Sequence, residues 1–315
     1  MAQSALVTGC AGFIGSHLCE ALLNRGWRVI GIDNLLDNYH HGIKSKNLRP
    51  LLQRPDFRFI KDDLIKAPLE CIVKDCGYIF HQAGQPGVRS SWGEQFDTYV
   101  ANNVLATQRL LEAVKHQDIK KFVFASTSSV YGSTGLLPTT EDHLPAPYSP
   151  YGVTKLAAEH LCGLYHKNYG VPVVSLRYFT VYGPRQRPDM AISRFIHCIM
   201  DGKPITVYGN GKQRRDFTYV DDIVKANILA AESPVTGEVF NVGGGRPVEL
   251  MHVIGMLERI AARKADLEFM LIQRGDVRDT WADIRKISGM LDFEPSTPLE
   301  TGLERQIEYI KISFY

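Results

Sequence analysis

The sequence predicts an α/β fold with a doubly wound parallel sheet, and three observations support this prediction. Apolar runs alternate with helical segments along the first 180 of the 315 residues. A glycine-rich turn joins the first apolar run to a segment with apolar residues at helical spacing. An aspartate, Asp33, directly follows the second apolar run. Repeated β-α-β units of this kind form a parallel sheet with helices on both faces.

The first strand, turn and helix form a unit suited to holding phosphate. The glycines follow the pattern G-x-x-G-x-x-G at Gly9, Gly12 and Gly15. Gly9 permits the tight turn, Gly12 lets backbone N–H groups approach a pyrophosphate, and Gly15 lets the helix pack closely on the strand. The helix that begins with Phe13 and Ile14 offers unpaired N–H donors and a partial positive charge. A dinucleotide is therefore expected here.

Asp33 discriminates between the two nicotinamide dinucleotides. It ends the second strand, residues 28–32, and lies 18 residues after Gly15, close to the ~20 expected for an acid that binds the adenosine ribose diol. A carboxylate there would repel a 2′-phosphate, so NAD is expected rather than NADP. Strand, turn, helix and acid together predict a Rossmann-type domain.

Polar side chains follow the strands at the edge of the sheet where a ligand is expected. Further strands are predicted at residues 57–60, 78–81, 121–125 and 173–177, and long helices at residues 94–116 and 151–169. In open α/β sheets the ligand lies beyond the C-terminal ends of the strands. The polar side chains at or just past these ends are Asp33, Asp63, His81, Ser126 and Tyr178.

The alternation loosens after residue 180, which predicts a second lobe. The chain is longer than one ordinary domain. We expect a nucleotide-binding domain over residues 1–180, rejoined by about residues 215–243, because the apolar run 238–242 can return to the large sheet. A smaller C-terminal α/β lobe, residues 181–214 and 244–315, is expected to bind the substrate.

Composition argues against several classes of protein. The formal charge of +2, without a long Lys/Arg block, argues against nucleic-acid binding. No apolar run approaches the ~20 residues of a membrane span, and the early first strand leaves no room for a secretory signal. The six cysteines lack C-x-x-C spacing, so reduced thiols and a cytoplasmic location are expected. No metal site is expected either.

A tyrosine and a lysine one helical turn apart can supply acid–base chemistry. Ser149 and Pro150 suit the start of a helix, which places Tyr151 and Lys155 at i and i+4 on one face. A nearby ammonium favours the phenolate, and a bound nicotinamide cation would add to its field. We expect the pKa of Tyr151 to fall from ~10 toward neutrality, which would make it a usable general base. Hydroxyls of residues 126–129 follow the central strand and can reach the same substrate oxygen.

Together these segments resemble the extended short-chain dehydrogenase/reductases of the nucleotide-sugar epimerase/dehydratase family. The matching stretches span nearly the whole chain: residues 8–15 (TGCAGFIG), 63–64 (DL), 81–84 (HQAG), 126–132 (STSSVYG), 151–155 (YGVTK) and 215–222 (RDFTYVDD). The resemblance implies a UDP-sugar substrate, NAD as cofactor, and a homodimer in which the two long helices pair across a two-fold axis. The same helix faces could instead be buried within one subunit.

The resemblance also implies roles for the matched positions. Asp63 and Leu64 would meet the adenine, and Asn103 would orient a neighbouring loop. The implied cofactor-binding set is Gly9, Gly12, Phe13, Ile14, Gly15, Asp33, Asn34, Asp63, Leu64, Gln82, Ala83, Gly84, Asn103, Ser126, Tyr151, Lys155 and Tyr178. The catalytic set is Thr127, Tyr151 and Lys155. The substrate-binding set is Val88, Arg89, Thr127, Ser128, Ser129, Thr180, Arg185, Thr206, Arg215 and Arg274, in which Arg215 and Arg274 would neutralise the nucleotide diphosphate.

The reaction implied by the resemblance is a transient oxidation. Tyr151 would remove the proton of the sugar 4-hydroxyl while the C4 hydride passes to NAD. The 4-keto sugar would then rotate and take the hydride back on its other face. Since each turnover regenerates NAD, the cofactor is expected to stay bound.

The residues after Thr127 separate the branches of the family. At the positions of residues 127–129, the family's dehydratases have a pattern like Thr-Asp-Glu, and its UDP-glucuronate decarboxylases have a pattern like Thr-Ser-Glu. This chain has Ser128 and Ser129 after Thr127, without a carboxylate. Residues 177–191 (RYFTVYGPRQRPDMA) look most like UDP-glucuronate 4-epimerases, which convert UDP-glucuronate to UDP-galacturonate. Arg185 is expected on the C6 carboxylate, with Arg187 as the competing candidate.

Three alternatives stay open at this point. The first is a UDP-glucose/UDP-galactose 4-epimerase, and the second is a UDP-glucuronate decarboxylase. The third is a non-catalytic NAD(P)-sensing protein of the same fold, although such proteins usually lack the pair formed by Tyr151 and Lys155. Thr180 replaces the asparagine that the family most often has, so the substrate contact at that position is left open.

Overall fold

The computed structural model describes residues 3–37, 39–273, 275 and 277–315. Within them the strands are β1 (Ser4–Thr8), β2 (Arg28–Ile32), β3 (Phe57–Ile60), β4 (Tyr78–His81), β5 (Lys121–Thr127), β6 (Val173–Tyr178), β7 (Thr180–Tyr182), β8 (Ile205–Tyr208), β9 (Arg214–Tyr219), β10 (Glu238–Val242), β11 (Pro247–Glu249) and β12 (Leu267–Met270). The α-helices are α1 (Phe13–Asn24), α2 (His41–Leu48), α3 (Leu69–Val73), α4 (Phe96–Tyr99), α5 (Ala106–Val114), α6 (Pro150–Tyr169), α7 (Ala191–Asp201), α8 (Val220–Glu232), α9 (Leu250–Ala261), α10 (Arg285–Leu291) and α11 (Leu299–Phe314). None of these helices is long and apolar enough to cross a membrane.

Seven strands of the described chain form one large sheet, in the order β10-β6-β5-β4-β1-β2-β3. Every neighbouring pair in this sheet is parallel. The strand order runs in opposite directions on the two sides of β1, so a crevice opens where β1 meets β4. Doubly wound sheets bind ligands at such a switch point, beyond the C-terminal ends of the strands. The predicted fold class is confirmed.

Two apolar cores cover the two faces of this sheet. Helices α1 and α8 pack together on one face, over a core that contains Leu18, Val123 and Ile223. Helices α3, α5 and α6 pack on the other face, over a core that contains Leu111 and Phe122. Successive residues of β5 point to opposite faces because side chains alternate along a strand. A strand buried on both faces therefore reads as the continuous apolar run seen in the sequence.

Helix α6, which carries the predicted tyrosine and lysine, has clear signals at both ends. The Ser149 hydroxyl accepts a hydrogen bond from the Gly152 N–H at 3.1 Å, as a capping residue does. Pro150 occupies the first turn, where its missing N–H has no helical partner to lose. Gly170 ends the helix with φ of 72°, a left-handed conformation that glycine adopts without strain. The predicted start and end of this helix are within one residue of those observed.

The helix predicted over residues 94–116 is interrupted. It begins as a 3₁₀ turn, continues as α4, and changes to a π-helical segment over Val100–Leu105 before α5 follows. Single π-helical segments inside helices are frequent at functional positions. This one contains Asn103, one of the predicted site residues.

The residues after β6 build smaller sheets beside the large one. Strands β11, β9 and β7 form a three-stranded sheet, and β12 pairs with β8 in parallel. Helices α7, α9 and α11 pack against one another nearby. Strand β10 returns to the large sheet beside β6, as the sequence predicts, whereas the sequence gives no sign of the short strand β7. The two lobe boundaries stay a prediction.

Candidate active site

The glycine turn after β1 is crowded by backbone atoms. Gly9 has φ of 68°, which residues with a Cβ rarely adopt, and a Cβ there would lie 2.9 Å from the Ala83 Cα. A Cβ on Gly15 would collide with the Gly9 carbonyl oxygen. Gly12 precedes α1 without any side-chain cap, so the first N–H groups of the helix can receive an anion. The turn thus places the uncapped start of α1 where a pyrophosphate can bind.

Asp33 is held in place by three neighbours at the end of β2. Its Oδ2 accepts from the Ala11 N–H at 3.1 Å and its Oδ1 accepts from the Leu35 N–H at 2.8 Å. The Nζ of Lys44 lies 3.6 Å from Oδ1, and both side chains are almost fully buried. Lys44 also lines the cleft described below. Lys44 is not predictable from the sequence, because the short, polar helix α2 has no clear hydrophobic pattern.

Asn34 and Asp63 meet at the ends of the neighbouring strands. The Asn34 amide donates to Asp63 Oδ2 at 3.1 Å, and the Ile65 N–H donates to Asp63 Oδ1 at 2.8 Å. Three polar side chains, those of Asp33, Asn34 and Asp63, therefore lie at one edge of the sheet.

One cleft of about 770 Å³ is lined by residues of the large sheet and of the second lobe. This volume is typical of a small-molecule site. All the residues predicted to bind the cofactor line this cleft. So do eight of the predicted substrate residues, namely Val88, Arg89, Thr127, Ser128, Ser129, Thr180, Thr206 and Arg215. Arg274 lies outside the described residues. The individual roles stay predictions.

Thr127, Tyr151 and Lys155 lie together in this cleft. Thr127 ends β5, and the interaction of its side chain with Tyr151 acts to lower the pKa of that phenol. Lys155 follows Tyr151 by one turn of α6, and its Nζ lies 4.3 Å from the centroid of the Phe124 ring. The Tyr99 ring stands edge-on to Tyr151, with 6.3 Å between the ring centroids. A phenol, a hydroxyl and an ammonium group are thus available for proton transfer at one place.

Burial is the main cause of the pKa shifts in this group. It raises the pKa of Tyr151 above its usual value, while the side chain of Thr127 and the charge of Arg187 act in the opposite direction. Burial lowers the pKa of Lys155 to about 8, against the opposing effect of nearby groups. The expected fall in the pKa of Tyr151 is therefore not seen in the chain by itself, because a buried phenolate loses its hydration. The neighbours that lower this pKa most are Thr127 and Arg187 rather than Lys155.

A chain of hydrogen bonds connects the glycine turn to the helix region that contains Asn103. The Thr8 hydroxyl accepts from the Ala83 N–H at 3.0 Å, and its oxygen lies 2.8 Å from Nδ1 of His81. The other nitrogen of His81 lies 2.9 Å from the Thr107 hydroxyl oxygen, and Thr107 donates to the Asn103 carbonyl oxygen at 2.6 Å. Burial lowers the pKa of His81 to about 3, so its ring is a neutral link at physiological pH.

Asn103 fixes the loop that follows β4. Its Oδ1 accepts from the Gln85 N–H at 2.7 Å, and its Nδ2 donates to the Gln85 carbonyl oxygen at 3.1 Å. The same Nδ2 donates to the Thr154 hydroxyl at 2.9 Å, and that hydroxyl donates to the Tyr151 carbonyl oxygen at 2.9 Å. Loop and catalytic helix are therefore held by one amide.

A buried ion pair lies behind the catalytic residues. Arg177 donates to Glu159 from Nε at 3.1 Å and from Nη2 at 2.6 Å. The Ser126 hydroxyl donates to the same carboxylate at 2.5 Å. Both charged side chains are about 95% buried, and Glu159 lies one turn beyond Lys155 on α6. The sequence shows that Glu159 lies four residues after Lys155, but it does not show that Arg177 is the partner of Glu159.

Cationic side chains surround the far end of the cleft. The Arg89 guanidinium lies 4.1 Å from the centroid of the Tyr208 ring. Arg215 donates from Nη1 to the Arg278 carbonyl oxygen at 2.7 Å. Arg194 lines the cleft from α7. Tyr208 and Arg194 are not predictable as site residues, because nothing in the sequence around them distinguishes them from solvent-facing residues.

Arg185 does not line the cleft, which argues against the predicted contact with the substrate. Its Nη2 donates to Glu20 at 2.7 Å and its Nη1 donates to the Ser16 hydroxyl at 3.3 Å, which directs the side chain onto α1. Arg187, the competing candidate, does line the cleft. Asp189 accepts from Nε of Arg187 at 3.0 Å and from Nη2 at 2.6 Å. Arg185 and Arg187 are only two positions apart, yet the first contacts α1 and the second lines the cleft.

The residues of the first half fit NAD. The glycine turn lines the cleft beside the uncapped start of α1, Asp33 is fixed where a ribose diol is expected, and Lys155 and Tyr151 line the same cleft. Within the described ranges, no group of three or more His, Cys, Asp or Glu is arranged to hold a metal ion.

Comparison with known families agrees with this geometry. The model of the NAD dependent epimerase/dehydratase family matches residues 5–243, which include the glycine turn, the catalytic helix and Arg215. The chain belongs to this family and is an NAD-dependent enzyme.

Several individual proteins are similar to this chain over almost its whole length. A crystal structure of UDP-glucuronic acid 4-epimerase from Bacillus cereus, in complex with UDP-glucuronic acid and NAD, is 47% identical with a TM-score of 0.96, covering 99% of this chain and 100% of that one. A UDP-glucuronate 4-epimerase of Thermodesulfobacterium geofontis is 42% identical over 311 residues, 97% of this chain and 95% of the relative. An uncharacterised UDP-glucose epimerase of Bacillus subtilis is 48% identical over 307 residues, 97% of each.

Proposed function

We propose that this enzyme is a UDP-glucuronate 4-epimerase, which interconverts UDP-glucuronate and UDP-galacturonate. The observation that carries the proposal is the position of Arg187, a cation that lines the catalytic cleft and acts electrostatically on Tyr151. A neutral hexose offers no negative group at C6 for such a cation, whereas a uronate offers a carboxylate. The Bacillus cereus and Thermodesulfobacterium geofontis relatives support the same substrate.

Proton transfer at C4 falls to the residues at the end of β5 and the start of α6. NAD, when bound, supplies the acceptor that takes the C4 hydride and returns it. Tyr151 takes the proton of the 4-hydroxyl as a phenolate and gives it back as a phenol. Thr127, whose side chain interacts with Tyr151, holds the reacting oxygen beside it. Lys155 is largely protonated at neutral pH, since its pKa is about 8, and its charge favours the phenolate.

Inversion at C4 requires the sugar to turn while the nucleotide stays fixed. Arg89 and Arg215 line the end of the cleft suited to the diphosphate, where charge-assisted hydrogen bonds are strong. Around the sugar, the cleft is lined by the short side chains of Ser128, Ser129 and Thr180. Small hydroxyls leave room for the 4-keto sugar to present either face. They also offer hydrogen bonds in both orientations.

The same pocket disfavours loss of carbon dioxide. Oxidation of a uronate at C4 produces a β-keto acid, which decarboxylates when its carboxylate is desolvated and aligned with the ketone. Arg187 stabilises the carboxylate through a charge-assisted pair and can hold it out of that alignment. Ser129 occupies the position at which UDP-glucuronate decarboxylases of the family have the glutamate of a Thr-Ser-Glu pattern. This chain therefore lacks that carboxylate.

A UDP-glucose/UDP-galactose 4-epimerase is the second candidate. The Bacillus subtilis relative, at 48% identity, carries the name of a UDP-glucose epimerase. The binding of the nucleotide and the chemistry at C4 would be the same for both sugars. The two candidates differ in the need for a cation at C6.

Product identification tests the proposal directly. Purified protein is incubated separately with UDP-glucuronate, UDP-galacturonate, UDP-glucose and UDP-galactose, and products are identified by nuclear magnetic resonance and mass spectrometry. We expect interconversion of the two uronates without release of carbon dioxide. Preferred turnover of the neutral sugars would favour the second candidate, a UDP-pentose product would indicate a decarboxylase, and NAD binding without any turnover would indicate a sensor.

We also propose that the enzyme is a homodimer. Large apolar side chains are exposed along α6 and along the interrupted helix beside it, among them Phe96, Val100, Leu105, Val153 and Leu164. Neighbouring helices with such residues are suited to pairing with a second copy. Light scattering at micromolar concentration is expected to give twice the chain mass, and Leu164→Glu is expected to give the monomer. A monomeric wild type would contradict the proposal.

A reducing compartment is the proposed location, in keeping with the expected cytoplasm. All six cysteines lie within the described residues, and each is a free thiol. Free thiols persist where glutathione and thioredoxin keep them reduced. Fractionation of cells with an antibody to the chain tests the location.

A further inference from the structure

We propose that Arg185 is a positioning residue for the uronate-binding cation: it fastens residues 183–189, here called the substrate loop, to helix α1 so that Arg187 points into the cleft. This inference rests on the proposed function, in which Arg187 meets the sugar carboxylate. It assigns to Arg185 an indirect role in place of the direct contact that the sequence suggested.

The attachment is a partly buried ion pair. The Nη2 of Arg185 lies 2.7 Å from Oε1 of Glu20, and its Nη1 donates to the Ser16 hydroxyl at 3.3 Å. The Arg185 side chain is 16% exposed and that of Glu20 is 30% exposed. A pair in this environment is screened less by water than a fully exposed one. The ion pair between Arg185 and Glu20 can therefore restrain the position of the loop.

Two neighbours of Arg185 are fixed as well. A ring nitrogen of His17 lies 3.0 Å from the Pro184 carbonyl oxygen. Burial lowers the pKa of His17 to about 4, so the ring is neutral at physiological pH and its Nε2 carries the proton that the carbonyl accepts. Gln186 donates to the Val181 carbonyl oxygen at 2.9 Å and accepts from the Ser193 N–H at 3.1 Å. Every residue from 184 to 186 thus has a defined partner.

The backbone conformation at Arg185 explains how the substrate loop contacts both α1 and the cleft. Its φ of 63° lies in the left-handed region, which is unfavourable for a residue with a Cβ. Contacts with α1 hold the residue there, and the reversal of the chain lets Arg185 face α1 while Arg187 faces the cleft. Without the contact to Glu20, the backbone can relax toward a more favourable region, and the position of Arg187 changes with it.

The consequence is that helix α1 organises two sites. Its N-terminus follows Gly12 and faces the expected pyrophosphate. Its side chains Ser16, His17 and Glu20 hold the substrate loop. The distance between the cofactor and the carboxylate-binding cation is therefore set within one rigid element.

A double-mutant cycle on the full-length, NAD-loaded enzyme tests this role. Arg185→Asn removes the ion pair while tolerating the left-handed backbone, and Glu20→Gln removes the pair from the other side. Each is expected to raise the KM for UDP-glucuronate about tenfold, as coupled neighbours do, with a smaller change in kcat. The inhibition constant of UDP, which has no sugar, is expected to stay within about twofold. In an Arg187→Met background, Arg185→Asn is expected to add less than about twofold.

The control is Glu232→Gln, which removes an ion pair between α8 and Arg25 at the opposite end of α1, with 3.1 Å between the charged atoms. It is expected to leave the KM unchanged. The inference is overturned if both Arg185→Asn and Glu20→Gln keep the wild-type KM, if Arg185→Asn raises KM equally in the Arg187→Met background, or if the UDP inhibition constant rises in parallel. Failure of the proposed function shows itself separately, as wild-type protein that does not epimerise UDP-glucuronate or as Arg187→Met with an unchanged KM.

Discussion

Replacing Arg187 by methionine is the sharpest test of the substrate assignment. Methionine keeps much of the apolar stem that packs in the cleft and removes only the charged fork. Loss of one partner of a buried, hydrogen-bonded charge pair costs about 2–5 kcal/mol. The Arg187 side chain is 15% exposed, which places it near the middle of that range. We expect a loss of about 3 kcal/mol, or roughly 150-fold, in affinity for UDP-glucuronate.

Part of that loss comes from Asp189, which the substitution leaves without its partner. Its carboxylate would then repel the incoming uronate, but it is 55% exposed, so water limits the repulsion to about 1 kcal/mol or less. The double variant Arg187→Met/Asp189→Asn should therefore bind UDP-glucuronate a few-fold better than Arg187→Met alone. The remaining difference from wild type measures the carboxylate contact itself.

Calorimetric titration of the NAD-loaded proteins with UDP-glucuronate and UDP-glucose separates the two effects. Affinity for UDP-glucose is expected to change little, because a 6-hydroxymethyl group makes no ion pair. Removing the Arg187 charge also raises the pKa of Tyr151 further, since that charge lowers it in the wild type. In the NAD-loaded enzyme, kcat/KM rises with pH as the Tyr151 phenolate forms. In the Arg187→Met variant this rise is expected at higher pH. The reasoning is refuted if both sugars lose affinity equally, or if UDP-glucuronate affinity stays within about threefold of wild type.

Three further outcomes are expected. Tyr151→Phe should lower kcat by 10²–10⁴, the usual value of a general base, while calorimetry still shows nucleotide-sugar binding; activity within tenfold of wild type would exclude Tyr151 as the base. In the wild type, kcat/KM should fall as pH rises through about 8, the pKa of Lys155, because the cation is lost; Lys155→Arg should remove that fall, and a wild-type profile flat to pH 10 would contradict the role. Denatured protein should release NAD into the supernatant, and release of NADP or no affinity for NAD would contradict the reading of Asp33.

The fold was predictable because its signals are local. The turn glycines, the continuous apolar run of β5 and the serine and proline before α6 each act within a few residues. The parallel sheet with helices on both faces followed from the repeated β-α-β units. Even the return of β10 to the large sheet was visible as an apolar run. Nearly all the cofactor and substrate residues that the family resemblance implied line one cleft.

Long-range partners were not predictable in the same way. The buried pair of Glu159 and Arg177 joins a helix to a strand 18 residues on, and Lys44 approaches Asp33 from a helix without a clear hydrophobic pattern. The effect of burial on Tyr151 depends on the whole environment of the cleft rather than on the lysine one turn away. A sequence identifies which groups can titrate, but desolvation is a property of the assembled site.

Arg185 and Arg187 show where reasoning from the sequence stops. Both are arginines of one polar loop just past the end of β7, and both have the charge and reach to hold a carboxylate. Their difference arises from one backbone angle, the φ of 63° at Arg185, which turns that side chain toward Glu20 on α1. A non-glycine residue avoids this angle unless contacts compensate, and Arg185 has such contacts with Glu20 and Ser16. The choice between the two cations is therefore made by α1, more than 160 residues earlier in the chain.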